Sequence, residues 1–253
     1  ESHHIRWKPC SKVAVATSSG DLPYLQSLYE RGMANGVQGL ELIGPERLKE
    51  LEPHVRGIRA LYIPSVGGVD FVQVASVMAK TLIAQGTDVL TGACVNAMTR
   101  AHGVFHLETA RGSLSSRYLI TCGGLHADRL ARMVGARPPF QQIPFRILRF
   151  LLKPERASLV NSIVYPVPEP GFPPFGVHAT RRFDDLVELG PGIVLALARE
   201  GYTATTVDPG DVVEMLRYPG FWSMVAKKWR MGVTELRRAS SVKAMVRALQ
   251  RIL

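Results

Sequence analysis

The sequence predicts a mixed α/β (α+β) protein made of two kinds of layer, and three observations carry that expectation. "YLITCGGLHADRLARMVG" (118–135) runs an apolar stretch into two glycines and then into Leu125, Leu130 and Val134, spaced as on one helix face. "FVQVASVMAKTLIAQG" (71–86) repeats apolar residues at helical spacing and ends on a glycine. After Arg137 the texture changes to short β-prone runs broken by proline and glycine, the mark of a mostly antiparallel sheet.

The elements follow in chain order. "KVAVAT" (12–17) reads as a short strand. Asp21 is placed as an N-cap with Pro23 in the first turn of a helix, whose face is Leu25, Leu28, Tyr29 and Met33 and whose stop is Gly36. "GPERLKELEP" gives a short helix closed by Pro53, since proline cannot continue the ladder. "ALYIPSVGGVD" is extended and predicts a glycine turn at Gly67 and Gly68. In the helix over 71–85, Val74, Val77, Met78 and Leu82 are expected to face inward. A strand over 88–98, a hairpin, a strand over 117–122 and the turn at Gly123 and Gly124 complete an α/β block of the kind that adds to a nucleotide-binding sheet. "QQIPFRILRFLLKP", "SIVYPVP", "FGVHAT" and "LVELGP" are strands of the second layer, and the chain is helical from Asp208 onward.

Composition narrows the function. At 253 residues, 46% hydrophobic and 21% charged, the chain is globular and long enough for one large or two modest domains. Thirty-one Lys and Arg against 21 Asp and Glu leave a formal charge of +10, much of it late, from Lys227 to Arg251. Such a stretch attracts anionic lipid or nucleic acid, or is simply a solvated helix face. The solvated face is the plainer reading, and no stacking aromatic array supports nucleic acid. Three cysteines without CxxC spacing, Cys10, Cys94 and Cys122, suit neither a disulfide framework nor a metal site and are read as buried thiols in a reducing compartment, the cytoplasm. No GxGxxG or GxxxxGK[ST] motif stands in the sequence, so the turn at Gly123 and Gly124 is open to two readings: backbone close to a ligand, or close packing of strand and helix.

Several stretches in order resemble one family: "LQSLYERGMANGVQGLELIGPERLKELEPHVRGIRALYIPSVGGVDF", "YLITCGGLHADRLARMVG", "IPFR" with "LLKPE", "VYPVPEPGFPPFGVHAT", "LGP" and "REGY". Any single piece is weak, but the ordered set is similar to FAD-dependent L-2-hydroxyglutarate dehydrogenases or oxidases, within the D-amino-acid-oxidase-like flavoproteins. The resemblance implies the middle of such a flavoprotein, without its N-terminal GxGxxG unit and its C-terminal segment, and inactive alone. It implies a partial Rossmann-like FAD domain over 67–140 and a substrate domain, with an antiparallel sheet and helices, over 12–66 and 141–253. Its substrate would be a small dicarboxylate 2-hydroxy acid, or an amine in a related oxidase, with oxygen or a quinone as electron acceptor. Localisation would be cytoplasmic, with peripheral contact at the inner membrane through the basic C-terminal helices, or mitochondrial in a eukaryote. A truncated, non-catalytic binding module is the competing class.

The resemblance also places residues. Val95 falls on the strand whose backbone holds adenine, and Cys122, Gly123 and Gly124 fall on a second glycine turn beside the cofactor. His178 is the base, since a histidine titrates near neutrality. Arg146 and Arg181, with Arg182 beside it, are the carboxylate partners, because a planar guanidinium pairs with a carboxylate through two bonds. Tyr165 and Tyr202 are donors to the substrate, and Glu200 orients a neighbour. Two departures stand out. Ile147 replaces the family's usual glycine after "PFR", and "RRFDDL" replaces an Asp-Gly turn, so the loop near the flavin and the hairpin after His178 are expected to differ.

Overall fold

The computed structural model describes residues 3–167 and 176–252; the stretch 168–175 of "VYPVPEPGFPPFGVHAT", including the first residue of the expected strand "FGVHAT", lies outside them. In chain order the elements are β1 (Trp7–Ala16), α1 (Leu22–Ala34), β2 (Glu41–Ile43), α2 (Pro45–Leu51), β3 (Arg59–Val69), α3 (Phe71–Ala84), β4 (Val95–Ala101), β5 (Val104–Thr109), β6 (Gly112–Ser116), α4 (Ala127–Met133), β7 (Phe145–Leu151), β8 (Ile163–Pro166), β9 (His178–Arg181), β10 (Val187–Leu195), α5 (Pro209–Arg217), α6 (Pro219–Ser240) and α7 (Val242–Leu249). They divide into two compact units. The first is Glu1–Met78, Ile147–Val194 and Val233–Leu253, and the second is Ala79–Arg146 and Leu195–Gly232.

The first unit is built on a seven-stranded sheet of order β2-β3-β1-β8-β9-β10-β7. The β1–β8 pair is parallel, while β1–β3, β2–β3, β8–β9 and β9–β10 are antiparallel. One face packs Val13, Val15, Val164, Ala179, Val187 and Leu189 against Leu48 of α2 and Met245 and Leu249 of α7. On the other face α1 covers the β1–β3 end, setting Leu25 on Ala14, Ala16 and Leu61. Asp21 anchors α1 by accepting from the backbone N–H groups of Thr17 (2.8 Å) and Ser18 (2.9 Å).

Two expectations change here. β1 starts at Trp7, five residues before "KVAVAT", and the anticipated turn at Gly67 and Gly68 is instead the last part of β3, paired with Lys8 and Pro9. Glycine is needed for proximity: a Cβ on Gly67 would stand 3.1 Å from the Lys8 carbonyl oxygen, and one on Gly68 would stand 3.0 Å from the Phe183 nitrogen.

The second unit holds the antiparallel sheet β4-β5-β6, with α4 and α5. The expected strand over 117–122 does not form. The Ser116 hydroxyl accepts from the Tyr118 backbone N–H (3.2 Å) and donates to its carbonyl, which diverts the backbone from a ladder. Tyr118 and Ile120 are therefore 84% and 87% exposed. Strand structure in 88–98 begins only at Val95. Cys94 and Cys122, expected to be buried, lie in these irregular stretches and are exposed; Cys10 is half-buried. In α3, Val74 and Val77 are half-buried as expected, but Met78 and Leu82 are exposed, because among the described residues nothing packs on that side of the helix.

Candidate active site

The cross-strand register builds the site. In the antiparallel β8–β9 pair Ile163 faces Thr180 and Val164 faces Ala179, so the next step sets Tyr165 against His178. Strand alternation sends Val164 and Ala179 into the core and leaves Tyr165, His178, Ile163 and Thr180 on the opposite face. On β1 Lys12 is in register with Ile163, and on β10 Gly190 is in register with His178.

The two rings stack, with centroids 3.9 Å apart and planes 15° from parallel, and the Lys12 ammonium lies 4.2 Å from the Tyr165 ring centre. His178 Nδ1 is 2.9 Å from the Gly176 carbonyl oxygen. A carbonyl only accepts, so Nδ1 carries the proton and Nε2 keeps its lone pair. Gly176 is itself confined, since a Cβ there would stand 2.6 Å from the Pro166 ring. Burial pushes the His178 pKa down; the Gly176 carbonyl and Glu188 oppose this, and the charges of Arg149 and Lys12 add to it. Burial also lowers Lys12, which has no carboxylate partner among the described residues.

Beyond Thr180 the same face carries Glu188, which pairs with Arg149 and with Arg182 (2.7 Å). A cleft of about 790 Å³ opens there, lined in part by Ile163, Thr180, Arg149, Arg182, Asp70 and Phe71. The "RRFDDL" hairpin is closed by the Arg182 N–H to Leu186 carbonyl bond (2.8 Å), with Asp185 at a φ of +65°, where a glycine is usual.

The sequence-predicted residues are thus partly gathered. His178 and Tyr165 meet. Arg181 is among the residues lining that cleft, and its guanidinium bonds the Ala157 and Val160 carbonyls (3.3 and 3.1 Å) and Asp185 (2.9 Å). Arg146, Tyr202, Val95, Cys122, Gly123 and Gly124 belong to the second unit. There Arg146 Nε is buried without a partner, Tyr202 is 81% exposed, and Glu200 bonds His126 (2.9 Å). Ile147 is an ordinary strand residue of β7. A Cβ on Gly123 would stand 2.3 Å from Leu130 Cδ1, which accounts for that glycine by packing, whereas Gly124 takes a φ of +51° with nothing within 4 Å of such an atom. Lys12 and Arg149 were missed. The signal for Lys12 was there, a lone charge entering the apolar run "VAVA", and it gains meaning only once β8 lies beside it.

Comparison with known proteins gives the family and the fold. The sequence profile of the FAD dependent oxidoreductase (DAO) family matches residues 1–219. An L-2-hydroxyglutarate dehydrogenase of Indibacter alkaliphilus is 38% identical over 254 residues, covering 100% of this chain and 64% of that protein. The mitochondrial L-2-hydroxyglutarate dehydrogenase of Nematostella vectensis is 37% identical over 265 residues, covering 99% and 58%. This chain therefore spans roughly three-fifths of the length of such relatives. Among solved structures, the FAD-bound L-alpha-glycerophosphate oxidase of Mycoplasma pneumoniae superposes with a TM-score of 0.70 at 21% identity, over 83% of this chain and 56% of that one, a likeness of fold.

Proposed function

The chain belongs to the DAO family of FAD dependent oxidoreductases, and from that premise we propose that it supplies the substrate-side machinery for oxidising L-2-hydroxyglutarate to the 2-oxo acid. The observation that carries this reading is the His178 imidazole on the sheet face, its Nδ1 tied to Gly176 and its Nε2 left as the basic nitrogen, with Lys12 and Arg149 as the cations whose fields reach it.

FAD, when bound, accepts the hydride from C2 of the substrate. The described residues do not form a cradle for its diphosphate: Gly123 is taken up by Leu130, and the α4 helix behind the turn is seven residues long. Val95, Cys122 and Gly124 would lie beside its edge.

The chain's own part is binding and proton transfer. His178 Nε2 takes the C2 hydroxyl proton as the carbonyl develops, and the Gly176 carbonyl holds the ring and stabilises the imidazolium that results. Tyr165 fixes the ring plane from below. Lys12 and Arg149 attract the two substrate carboxylates. Arg181 ties β9 to the segment ahead of β8.

The test is anaerobic mixing of the FAD-loaded complete protein with L-2-hydroxyglutarate, L-proline and glycine in turn. The expected result is bleaching of the flavin band by the hydroxy acid alone. Bleaching by an amine and not by L-2-hydroxyglutarate would assign the site to an amine oxidase.

A further inference from the structure

The side chains in front of His178 form a row whose two ends differ. Cross-strand pairing lines up Lys12 of β1 with Ile163 of β8, Ile163 with Thr180 of β9, and Thr180 with Glu188 of β10. Strand alternation puts Ile163, Thr180 and Glu188 on the His178 side of the sheet, two residues along from the row of Tyr165, His178 and Gly190. Towards β1 the row is apolar. It consists of Ile163 with the Tyr165 ring beside it, and it ends on Lys12, which has no carboxylate partner among the described residues. Towards β7 it is charged. Glu188 there already holds Arg149 and Arg182, and Gly190, the residue opposite His178, adds no side chain.

We propose that Ile163 sets the length of acid the site accepts, an inference that rests on the reading of His178 as the base. With the C2 hydroxyl on His178, the methylenes of the substrate lie over Ile163, the far carboxylate meets Lys12, and the near carboxylate lies on the Arg149 side. Three observations carry this orientation. First, the only apolar floor in the row is on the Lys12 side; turned the other way, the methylenes would cover the ionised Glu188 carboxylate and strip water from it without replacing its hydrogen bonds. Second, the span agrees. The Lys12 ammonium is 4.2 Å from the Tyr165 ring centre, which is 3.9 Å from the His178 ring centre, so the ammonium stands no further from the imidazole than those two lengths laid end to end. An extended stretch from C2 to C5 covers about 4 Å, which leaves a hydrogen bond's reach at each end. Third, β8 lies between β1 and β9, so Ile163 stands between the anchor and the base; it is half-buried and lines the cleft. Its β-branched side chain has few rotamers, which makes that floor stiff.

The experiment has two arms, run on the FAD-loaded complete protein and on its Ile163→Val, Ile163→Ala and Ile163→Phe variants. Calorimetry ranks the affinities of the unreactive diacids succinate, glutarate and adipate. Stopped flow ranks flavin reduction by L-malate, L-2-hydroxyglutarate and L-2-hydroxyadipate. The parent should favour the five-carbon acid in both arms. Ile163→Ala should raise the six-carbon to five-carbon ratio about tenfold or more, and Ile163→Val should raise it less, since one methylene in a fitted pocket is worth roughly 10–200-fold. Ile163→Phe should move the preference to the four-carbon acid. Lys12→Met should flatten the ranking, because the far anchor is gone. Flavin reduction by L-2-hydroxyglutarate with a length ranking that the Ile163 variants leave unmoved would overturn the proposal. A ranking that moves as stated among the unreactive diacids, with no flavin reduction by any hydroxy acid, would support Ile163 as the determinant of length and remove the reading of the reaction.

Discussion

The imidazole of His178 lies flat on the phenol of Tyr165, with the ring centres 3.9 Å apart. Its Nδ1 hydrogen bond to Gly176 (2.9 Å) fixes the rotation that stacking alone leaves free. The ring is held in both plane and spin, so the Nε2 lone pair has a fixed direction.

Removing that nitrogen is the first prediction. His178→Gln keeps much of the shape and loses the basic site. In the FAD-loaded complete protein it should slow flavin reduction by L-2-hydroxyglutarate at least roughly 100-fold, the low end for general-base catalysis, with FAD content unchanged. Stopped-flow rates near the parental value would remove His178 from the mechanism.

A second prediction follows from the pKa of the same group. Burial lowers it, and Arg149 and Lys12 lower it further, so the imidazole stays neutral to a lower pH than an ordinary histidine. The acid limb of kcat/KM should lie below about 6.5, the unperturbed value, with the rate flat above it. Arg149→Met removes the larger of the two charge effects and should move that limb upward. Lys12→Met should move it less and raise KM more, since Lys12 has no competing carboxylate while Arg149 is shared with Glu188. A limb that stays put in both variants would contradict the assignment.

The hairpin after β9 gives a third. Asp185 combines a φ of +65° with two ion pairs, to Lys8 (2.6 Å) and Arg181 (2.9 Å). Asp185→Asn keeps a residue that tolerates the left-handed conformation and loses the charge, while Asp185→Ala loses both. Melting temperatures at low salt should fall in the order Asp, Asn, Ala. The Asp–Asn gap should close at roughly 1 M salt, where exposed pairs are screened, and the Asn–Ala gap should remain.

How far the sequence announced all this varies with the kind of signal. Asp21, Leu25 and Gly36 mark α1 by local chemistry, and local chemistry is what a sequence displays. Tyr118 to Cys122 looked like a strand because its residues are apolar, yet a ladder needs a neighbour, and Ser116 captures the backbone instead. His178 and Tyr165 could each be picked out, but their stacking depends on the β8–β9 register. Arg181 could be picked out by its closeness to His178, but its bonds to the Ala157 and Val160 carbonyls depend on the segment ahead of β8, which no local pattern names. Lys12 came within reach only through a parallel partner some 150 residues away, a relation no local pattern contains.

The last prediction concerns Asp128 and Arg199, which sequence reading passed over and which hold the second unit together. Asp128 is fully buried and bonded through both oxygens to the Arg199 guanidinium, with Arg132 (3.1 Å) and the Gln142 N–H (3.3 Å) as further donors. Burial alone would raise its pKa, but the Arg199 bonds override it and bring it down to about 2. The carboxylate binds protons less readily folded than unfolded, so its stabilisation is complete above the ordinary aspartate value and is lost as pH falls toward 2. The shift corresponds to on the order of 2 kcal/mol. Asp128→Asn leaves Arg199 buried without its principal countercharge and should cost about 3 kcal/mol in urea unfolding at neutral pH, while flattening the acid dependence between about pH 4 and 2. Asp128→Leu with Arg199→Met removes both charges and should recover much of that loss, because an apolar pair avoids the desolvation that the ions incur. If the double variant were less stable than Asp128→Asn, the cluster would owe its contribution to the remaining bonds of Arg199, to the Leu125 carbonyl and Glu214, rather than to the ion pair.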